Sequence, residues 1–228
     1  MQFHGFQKLT LLDFPGKVAC LLFTGGCNFR CPFCHNAGLV THLGEKTYSE
    51  EEILSYLEKR KGILDGVCVT GGEPLLQSGL SAFLKKVKAL GYAVKLDTNG
   101  SFPDRLKALV FDGLVDYVAM DIKNAPEKYE LTVGTEADLA AVKESVSFLL
   151  SGAVDYEFRT TLVAELHTAA DMEAIGEWIK GAKRYFLQTF RDSGDLIGTG
   201  LSALDEESAR AFSEIAQRYA IPARIRGE

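Results

Sequence analysis

Apolar β-type runs and amphipathic helical patterns alternate along this chain, and that alternation limits the folds open to it more than any other feature. The runs that favour strands are Val18–Thr24, Val67–Thr70, Tyr92–Asp97, Leu114–Asp121, Tyr156–Val163 and Tyr185–Thr189. Strands that alternate with helices build βαβ units around a parallel sheet with right-handed crossovers. Six repeats are too few for an eight-fold barrel, so both a doubly wound open sheet and an incomplete barrel fit the pattern.

Cap residues and apolar stripes indicate where the helices begin and which faces they bury. Ser49 and Glu52 form a capping box, Pro103 opens a shorter helix, and Thr168 and Asp205 are expected N-caps. The apolar stripes of three helices are Leu80, Phe83, Leu84 and Val87; Leu139, Val142, Val146 and Leu149; and Phe212, Ile215, Ala216 and Tyr219.

The charge balance and the short apolar runs narrow the functional classes. The 228 residues include 31 acidic and 25 basic side chains, which gives a formal net charge of −6 and a pI of about 5.4. That balance argues against a nucleic-acid or anionic-membrane partner. Apolar runs such as Val18–Phe23 are far shorter than the roughly 20 residues of a membrane span, and the N-terminus resembles no secretory signal. We therefore expect a cytoplasmic chain folded as a single domain over residues 1–228.

Polar residues gather where the predicted strands end. They are Gly71-Gly72-Glu73, Asp97-Thr98-Asn99, Asp121-Ile122-Lys123 and Gln188-Thr189. In the fifth strand, alternation divides two faces, with Glu157, Arg159 and Thr161 on one and Tyr156, Phe158 and Leu162 on the other. Ordinary loop polarity explains any one strand end. Four in succession favour a ligand site, because parallel sheets bind ligands at the carboxyl ends of their strands.

Three of the five cysteines, Cys27, Cys31 and Cys34, lie in one C-x3-C-x2-C segment directly after the first predicted strand. A disulfide fits poorly with a reducing compartment and an odd number of thiols. A zinc ion would need His35 as well, and two adjacent residues are a poor pair of ligands for one tetrahedral ion. The segment also matches the C-x-x-C-H string of haem attachment, which leaves Cys27 unexplained.

The fourth chemistry open to these cysteines is an iron–sulfur cluster, whose ligands are thiolates. Three closely spaced thiolates can hold three irons of a [4Fe–4S] cube and leave the fourth iron open to an exogenous chelating ligand. Cys20 and Cys68 lie among Val and Leu inside predicted strands, so we expect them to be buried apolar residues rather than a fourth ligand. A single cluster is therefore predicted.

With Phe33 as its aromatic residue, the cysteine segment resembles the C-x3-C-x-aromatic-C signature of the radical S-adenosylmethionine (SAM) superfamily, and Gly-Gly-Glu follows the second strand as it does there. Within that superfamily, three segments resemble the glycyl-radical-enzyme activating enzymes: Cys34-His35-Asn36, Asp97-Thr98-Asn99-Gly100 and Asp121-Ile122-Lys123. The segments 5–8 and 13–16 are similar to the activating proteins of anaerobic ribonucleoside-triphosphate reductase. The resemblance runs to about residue 190. It implies a partial (β/α)6 TIM-like barrel of parallel strands, with a core at about 17–190 and a C-terminal helix and tail at 205–228.

The resemblance also implies roles for individual residues. The three motif cysteines hold the cluster and are the catalytic residues, and SAM chelates the open iron through its amino and carboxylate groups. Gly71 and Gly72 let the backbone approach the methionyl amine, Glu73 adds negative charge, and Lys123 lies at the SAM carboxylate or ribose. The residues expected beside adenine and ribose are Phe33, Cys34, His35 and Asn36.

For some further positions, both a functional role implied by the resemblance and an ordinary structural role are expected alternatives. The oxygen donors that would hold a monovalent cation are Asp97, Thr98 and Asp121. Helix capping and an ion pair from Lys123 to an aspartate are the ordinary alternative. Arg159 is expected either to touch substrate or SAM or to pair with Glu157. Asp13 is expected either to face the partner's glycine loop or to form a turn.

The implied activity is that of an enzyme which reductively cleaves SAM to a 5′-deoxyadenosyl radical and abstracts hydrogen from a glycine of a partner protein under anaerobic conditions. The expected partners are a glycyl radical enzyme, namely anaerobic ribonucleoside-triphosphate reductase, and an electron donor of the flavodoxin or ferredoxin type. One alternative is a radical SAM enzyme that acts on a small molecule, similar to the deazaguanine synthases; His35-Asn36 favours the activating enzyme. The other is a zinc-stabilised binding module without catalysis.

Overall fold

The strands of the computed structural model, which describes residues 1–44, 47–219 and 221–226, follow the β-type runs of the sequence. In chain order they are β1 Gln2–Phe3, β2 Gly5–Thr10, β3 Ala19–Thr24, β4 Tyr48–Ser49, β5 Gly66–Gly71, β6 Ala93–Thr98, β7 Tyr117–Asp121, β8 Asp155–Leu162, β9 Tyr185–Thr189 and β10 Ala223–Arg226. The six predicted strands are confirmed as β3 and β5 to β9, with small differences at their ends.

The helices begin where the caps predict. In chain order they are α1 Ala37–Thr41, α2 Glu50–Lys59, α3 Leu80–Ala89, α4 Pro103–Phe111, α5 Tyr129–Val133, α6 Leu139–Leu150, α7 Ala169–Trp178 and α8 Glu206–Gln217. The capping box of Ser49 and Glu52 is formed, Thr168 forms a second capping box with Asp171, and Asp205 caps α8. Among the described residues, no helix combines the length and the hydropathy needed to cross a bilayer.

The first of two compact units comprises Met1–Asn28, Gly38–Thr98 and Asp104–Val118. Its strands β3, β5 and β6 are parallel, β2 is antiparallel to β3, and β1 pairs with β4 in a separate antiparallel ladder. The predicted stripe of α3 is buried, as are the strand residues that face it. The core of this unit therefore lies between its parallel strands and α2 and α3, with Ile53, Leu57, Phe83 and Leu84 fully buried.

The second unit comprises Phe29–Ala37, Asn99–Pro103 and Ala119–Glu228. Here β8, β9 and β10 are parallel, and the amide of Ile122, just after β7, donates to the carbonyl of Arg159 on β8 at 2.8 Å. Helix α6 buries Val142, Val146 and Leu149. Parallel strands that alternate with helices in both units confirm the predicted α/β class.

The structure adds four strands that the sequence patterns did not predict. β1, β2 and β4 belong to antiparallel ladders in the first unit, and β10 extends the parallel strands of the second unit into the segment predicted as helix and tail. The strand β2 alternates poorly, because Gln7, Lys8 and Leu9 are all exposed. The single domain over residues 1–228 stays a prediction.

Strand β8 has the two faces that its alternation predicts, except that one residue of the polar face is buried. Tyr156, Phe158 and Leu162 are buried, and Arg159 and Thr161 are half-buried. Glu157 is 1% exposed, and its carboxylate accepts two hydrogen bonds from the guanidinium of Arg226, at 2.9 and 3.1 Å. The same guanidinium lies 3.2 Å from the ring centroid of Phe186. The acidic residue is therefore tolerated inside the unit because β10 brings a bidentate cation to it.

Candidate active site

Two glycines at the end of β5 lie against the backbone that follows β3. Gly71 has a φ of +122°, and a Cβ there would fall 2.3 Å from both N and O of Thr24. A Cβ on Gly72 would fall 1.9 Å from the carbonyl oxygen of Gly26 and 3.3 Å from the amide nitrogen of Cys27. A side chain at either position would displace backbone that leads into the first cysteine of the motif. Only glycine fits both positions.

Glu73 is fully buried next to this close approach. Its carboxylate accepts hydrogen bonds from the amide of Leu75 at 3.0 Å and from Oγ1 of Thr98 at 2.9 Å, and its own amide donates to the carbonyl of Gly26 at 2.8 Å. The side chain thereby caps the short 3-10 helix Pro74–Leu76. The structure thus brings together Glu73 and Thr98, which the sequence places at the ends of two different strands.

Asp97 lies on β6 and pairs with a lysine that sequence reasoning missed. Nζ of Lys95 donates to Asp97, and the lysine side chain is only 2% exposed. Register places Lys95 opposite Cys68 on β5. A lysine in the middle of an apolar strand is the signal that could have identified it, since buried lysines are almost always paired.

The cysteine segment passes from the first unit into the second after Asn28. Cys27 and Cys34 are half-buried, Cys31 is buried, and none of the three is in a disulfide. In the described ranges, no group of three or more His, Cys, Asp or Glu side chains is arranged to hold one metal ion. Three thiols on one short loop are the donor set that an iron–sulfur cube uses, with each thiolate bound to a different iron.

Helix α5 supports the part of the cysteine segment that lies in the second unit. The amide of Arg30 donates to the carbonyl of Val133 at 2.8 Å, and the rings of Phe29 and Tyr129 lie 6.3 Å apart. Gly134 ends the helix with a φ of +68°, where a Cβ would fall 2.5 Å from the carbonyl oxygen of Arg30. The residues just before Cys31 are therefore held against a helix end that only glycine can form.

Asp121, at the end of β7, pairs with two cations. One carboxylate oxygen accepts from Nζ of Lys123 and the other from Nε of Arg159, each at 2.9 Å. Burial alone would raise the pKa of Asp121, but the charges of Arg159 and Lys123 lower it to about 2. The ordinary alternative of an ion pair from Lys123 is confirmed. Arg159 contacts Asp121, and Glu157 pairs with Arg226. The expected pairing of Arg159 with Glu157 stays a prediction.

The residues expected beside adenine and ribose lie on the same loop as the second and third cysteines. Phe33 is buried, Asn36 is half-buried, and His35 is exposed, with its ring 5.8 Å from that of Phe190. Partial burial and the positive charge of Lys123 lower the pKa of His35 below its ordinary value. Phe190, which sequence reasoning missed, follows the polar end of β9 directly.

His167 is a buried residue that the sequence patterns did not identify. Its Nε2 lies 2.9 Å from the carbonyl oxygen of Lys123, and its Nδ1 accepts from the amide of Val163 at 3.1 Å. Burial lowers the pKa of this imidazole, so the neutral form with its proton on Nε2 satisfies both contacts. His167 thereby fixes the backbone of Lys123.

Three other predicted residues have structural roles, and the expected approach of the partner's glycine loop to Asp13 stays a prediction. Oγ1 of Thr10 donates to Asp13, which places Asp13 in the turn between β2 and β3. Cys20 and Cys68 are fully buried in β3 and β5, as predicted. Burial raises the pKa of Cys20 to about 12, which disfavours the thiolate that a metal ligand requires.

Comparison with known proteins identifies the family. Residues 21–179 match the model of the Radical SAM superfamily. The chain belongs to this superfamily. A protein of Methanocaldococcus jannaschii named "Putative glycyl-radical enzyme activating enzyme MJ1227" is 30% identical over 222 residues, which are 94% of this chain and 91% of that protein. A 7-carboxy-7-deazaguanine synthase of Hyperthermus butylicus is 35% identical over 91 residues, which are 40% of this chain and 38% of that protein.

A solved structure supports the fold. A radical SAM methyltransferase from Sphaerobacter thermophilus superposes with a TM-score of 0.75 at 14% identity, over 96% of this chain and 68% of that chain. With the mostly parallel strands described above, this likeness confirms the prediction of a partial TIM-like barrel fold. Membership of the superfamily makes the chain an enzyme and implies a [4Fe–4S] cluster and SAM as cofactors. The alternative of a binding module without catalysis is therefore wrong.

Proposed function

We propose that this radical SAM enzyme activates a glycyl radical enzyme by removing a hydrogen atom from a glycine of that partner. The observation that carries the proposal is the extent of the likeness to MJ1227, which covers 94% of the chain, whereas the likeness to the deazaguanine synthase covers 40%. The segment Cys34-His35-Asn36 supports the same choice by its resemblance to activating enzymes.

One [4Fe–4S] cluster would be held by the thiolates of Cys27, Cys31 and Cys34, which lie on one loop and are not in disulfides. When bound, the reduced cluster and SAM supply a 5′-deoxyadenosyl radical, the species that removes the hydrogen atom. The residues that would contact SAM or support its site are Phe33, Cys34, His35, Asn36, Gly71, Gly72, Glu73, Asp97, Thr98, Asp121 and Lys123. The chain's own contribution is to bind, orient and exclude water.

The charges in the second unit suit an anionic group of SAM. Asp121 carries one negative charge and pairs with two cations, Lys123 and Arg159, so the three side chains together keep one net positive charge. The carbonyl of Lys123 is held by His167, which limits the movement of the lysine. A fixed net positive charge favours binding of a carboxylate such as that of the methionyl moiety.

For the partner, the resemblance of segments 5–8 and 13–16 favours anaerobic ribonucleoside-triphosphate reductase. A flavodoxin or ferredoxin would deliver the single electron. The monovalent cation stays a prediction. Each side chain expected to bind it has a partner within the chain: Asp97 accepts from Lys95, Thr98 donates to Glu73, and Asp121 pairs with Lys123.

The first experiment tests radical generation. Wild-type, Cys31→Ser and Cys20→Ala proteins are reconstituted anaerobically with iron and sulfide, then incubated with SAM and dithionite while 5′-deoxyadenosine is measured. We expect product from the wild type and from Cys20→Ala, whose cysteine lies outside the motif, and none from Cys31→Ser. A reconstituted wild type that yields no 5′-deoxyadenosine would refute the proposal.

The second experiment separates the activating enzyme from the deazaguanine-synthase-like alternative, which the shorter match at 35% identity keeps in view. Anaerobic incubation with SAM, a reductant and anaerobic ribonucleoside-triphosphate reductase should produce the EPR doublet of a glycyl radical. SAM cleavage that depends on a small molecule, with no doublet from any glycyl radical enzyme, would favour the alternative.

A further inference from the structure

The hydroxyl of Tyr129 is buried and has no hydrogen-bond partner among the described residues. The side chain is 0% exposed, and the centroid of its ring lies 6.3 Å from that of Phe29 and 6.0 Å from that of Trp178. A buried polar group without a partner costs about 1–3 kcal/mol, and buried tyrosine hydroxyls usually find one. The cost indicates a partner that the polypeptide alone does not supply.

This hydroxyl lies near the candidate active site, because the Tyr129 ring is 6.3 Å from that of Phe29, two residues before Cys31. Burial is the main reason that the pKa of Tyr129 is raised, and Cys31, Asp121 and Lys123 are the charged or ionisable groups that act on it. The backbone amide of Lys123 lowers the pKa of Tyr129, which indicates that this amide faces the phenolic oxygen. The amide and the phenolic oxygen nevertheless do not form a hydrogen bond. The hydroxyl proton therefore still needs an acceptor.

Two of the nearby groups are poor candidates for that acceptor. Lys123 offers a cation, and the carboxylate of Asp121 already accepts from both Lys123 and Arg159. Sulfur in Cys31 is a weak acceptor as a thiol, but a cysteine must lose its proton to ligate iron. A thiolate accepts a charge-assisted hydrogen bond, which is about twice as strong as a neutral one.

We propose that the Tyr129 hydroxyl donates a hydrogen bond to the sulfur of Cys31 when that cysteine is a ligand of the cluster. The inference rests on the proposed function, because it requires the bound cluster. Hydrogen bonds to sulfur are one of the means by which a protein tunes cluster potential. A donor stabilises the reduced, more negative cluster, so Tyr129 raises the reduction potential.

Helix α5 holds the hydroxyl in the required place. Its first residue is Tyr129, and its C-terminal end is anchored to the cysteine segment by the hydrogen bond from Arg30 to Val133 and by the close approach of Gly134 to Arg30. Both anchors act on the residue just before Cys31. The position of the hydroxyl relative to that cysteine is therefore set by local packing.

The test compares Tyr129→Phe with Tyr185→Phe. The first variant keeps the ring and removes the orphaned hydroxyl, so the free energy of unfolding of the apoprotein should stay unchanged or rise. In the reconstituted protein, the midpoint potential of the cluster, from an EPR-monitored redox titration, should fall below that of the wild type. Tyr185 is equally buried, but its hydroxyl donates to Oγ1 of Thr160 at 2.8 Å. Tyr185→Phe should therefore destabilise the apoprotein and leave the potential unchanged.

Each outcome decides the proposal. An unchanged potential in fully loaded Tyr129→Phe overturns it, and so does weaker SAM binding at an unchanged potential, which would assign the hydroxyl to SAM. If Tyr129→Phe loads poorly, the EPR signal of the loaded fraction still gives its potential, and a value equal to that of the wild type overturns the proposal. A wild type that binds no iron and sulfide refutes the proposed function as well, whereas the other negative results leave that function standing.

Discussion

Replacing Gly72 by alanine tests whether the backbone beside the first motif cysteine depends on a missing side chain. The new Cβ would lie 1.9 Å from the carbonyl oxygen of Gly26, whereas ordinary contacts are about 3.5 Å, so one of the two backbones must move by more than about 1 Å. The Gly26 carbonyl also accepts from the amide of Glu73 at 2.8 Å and cannot yield freely. Overpacking costs about 1–3 kcal/mol, and we expect the upper end of that range.

For a chain of this length, a loss of about 3 kcal/mol lowers the melting temperature by roughly 6–12 °C. Thermal unfolding of the apoprotein by circular dichroism measures this, and iron and sulfide content after reconstitution should fall as well, because Cys27 is displaced. Gly79→Ala is the matched control, since its Cβ meets nothing closer than Cβ of Met1 at 3.5 Å. If both variants melt together and load equally, the argument from close approach is wrong.

The remaining predictions concern two buried charged or titratable groups. Because burial lowers the pKa of His167, the unfolded chain binds more protons than the folded chain below about pH 6.5. The free energy of unfolding should therefore decrease as the pH is lowered through that value, by at most about 1.4 kcal/mol per pH unit. Urea unfolding should show that the free energy of unfolding changes less between pH 7.5 and pH 5.5 in His167→Asn than in the wild type. An equal change in both proteins would contradict this role of His167. Arg226→Met should cost about 1–3 kcal/mol, because the buried carboxylate of Glu157 loses its bidentate partner. Urea unfolding of the double variant with Glu157→Gln should recover part of that loss, and no recovery would argue against the pair.

Features of the fold that depend on local pattern are the ones that the sequence predicts. The capping box of Ser49 and Glu52 and the apolar stripe of α3 need only neighbouring residues, and both are present in the structure. β10 has no such signal, since two of its four residues are arginines. Its Arg226 pairs with a carboxylate 69 positions earlier in the chain, and no local pattern encodes that distance.

In the candidate site too, the residues with a local sequence signal were predicted and those without one were missed. Spacing singles out the three cysteines, and position at a predicted strand end, together with the family resemblance, singles out the Gly-Gly-Glu segment. Lys95, Tyr129 and His167 were missed, since what distinguishes each is burial and the presence or absence of a partner. Asp121 and Lys123 were identified as a pair, but the second cation on Asp121 comes from another strand. Contacts across strands become visible only once register is known.

The pairing of Glu157 with Arg226 also bears on how the nascent chain matures on the ribosome. The acidic side chain is synthesised with β8, whereas Arg226, a cation that pairs with it, is synthesised with β10, after the other described strands. Until then this region holds a carboxylate that favours water over its final environment. The second unit should accordingly reach its protease-resistant form only after β10 has been translated and has left the exit tunnel.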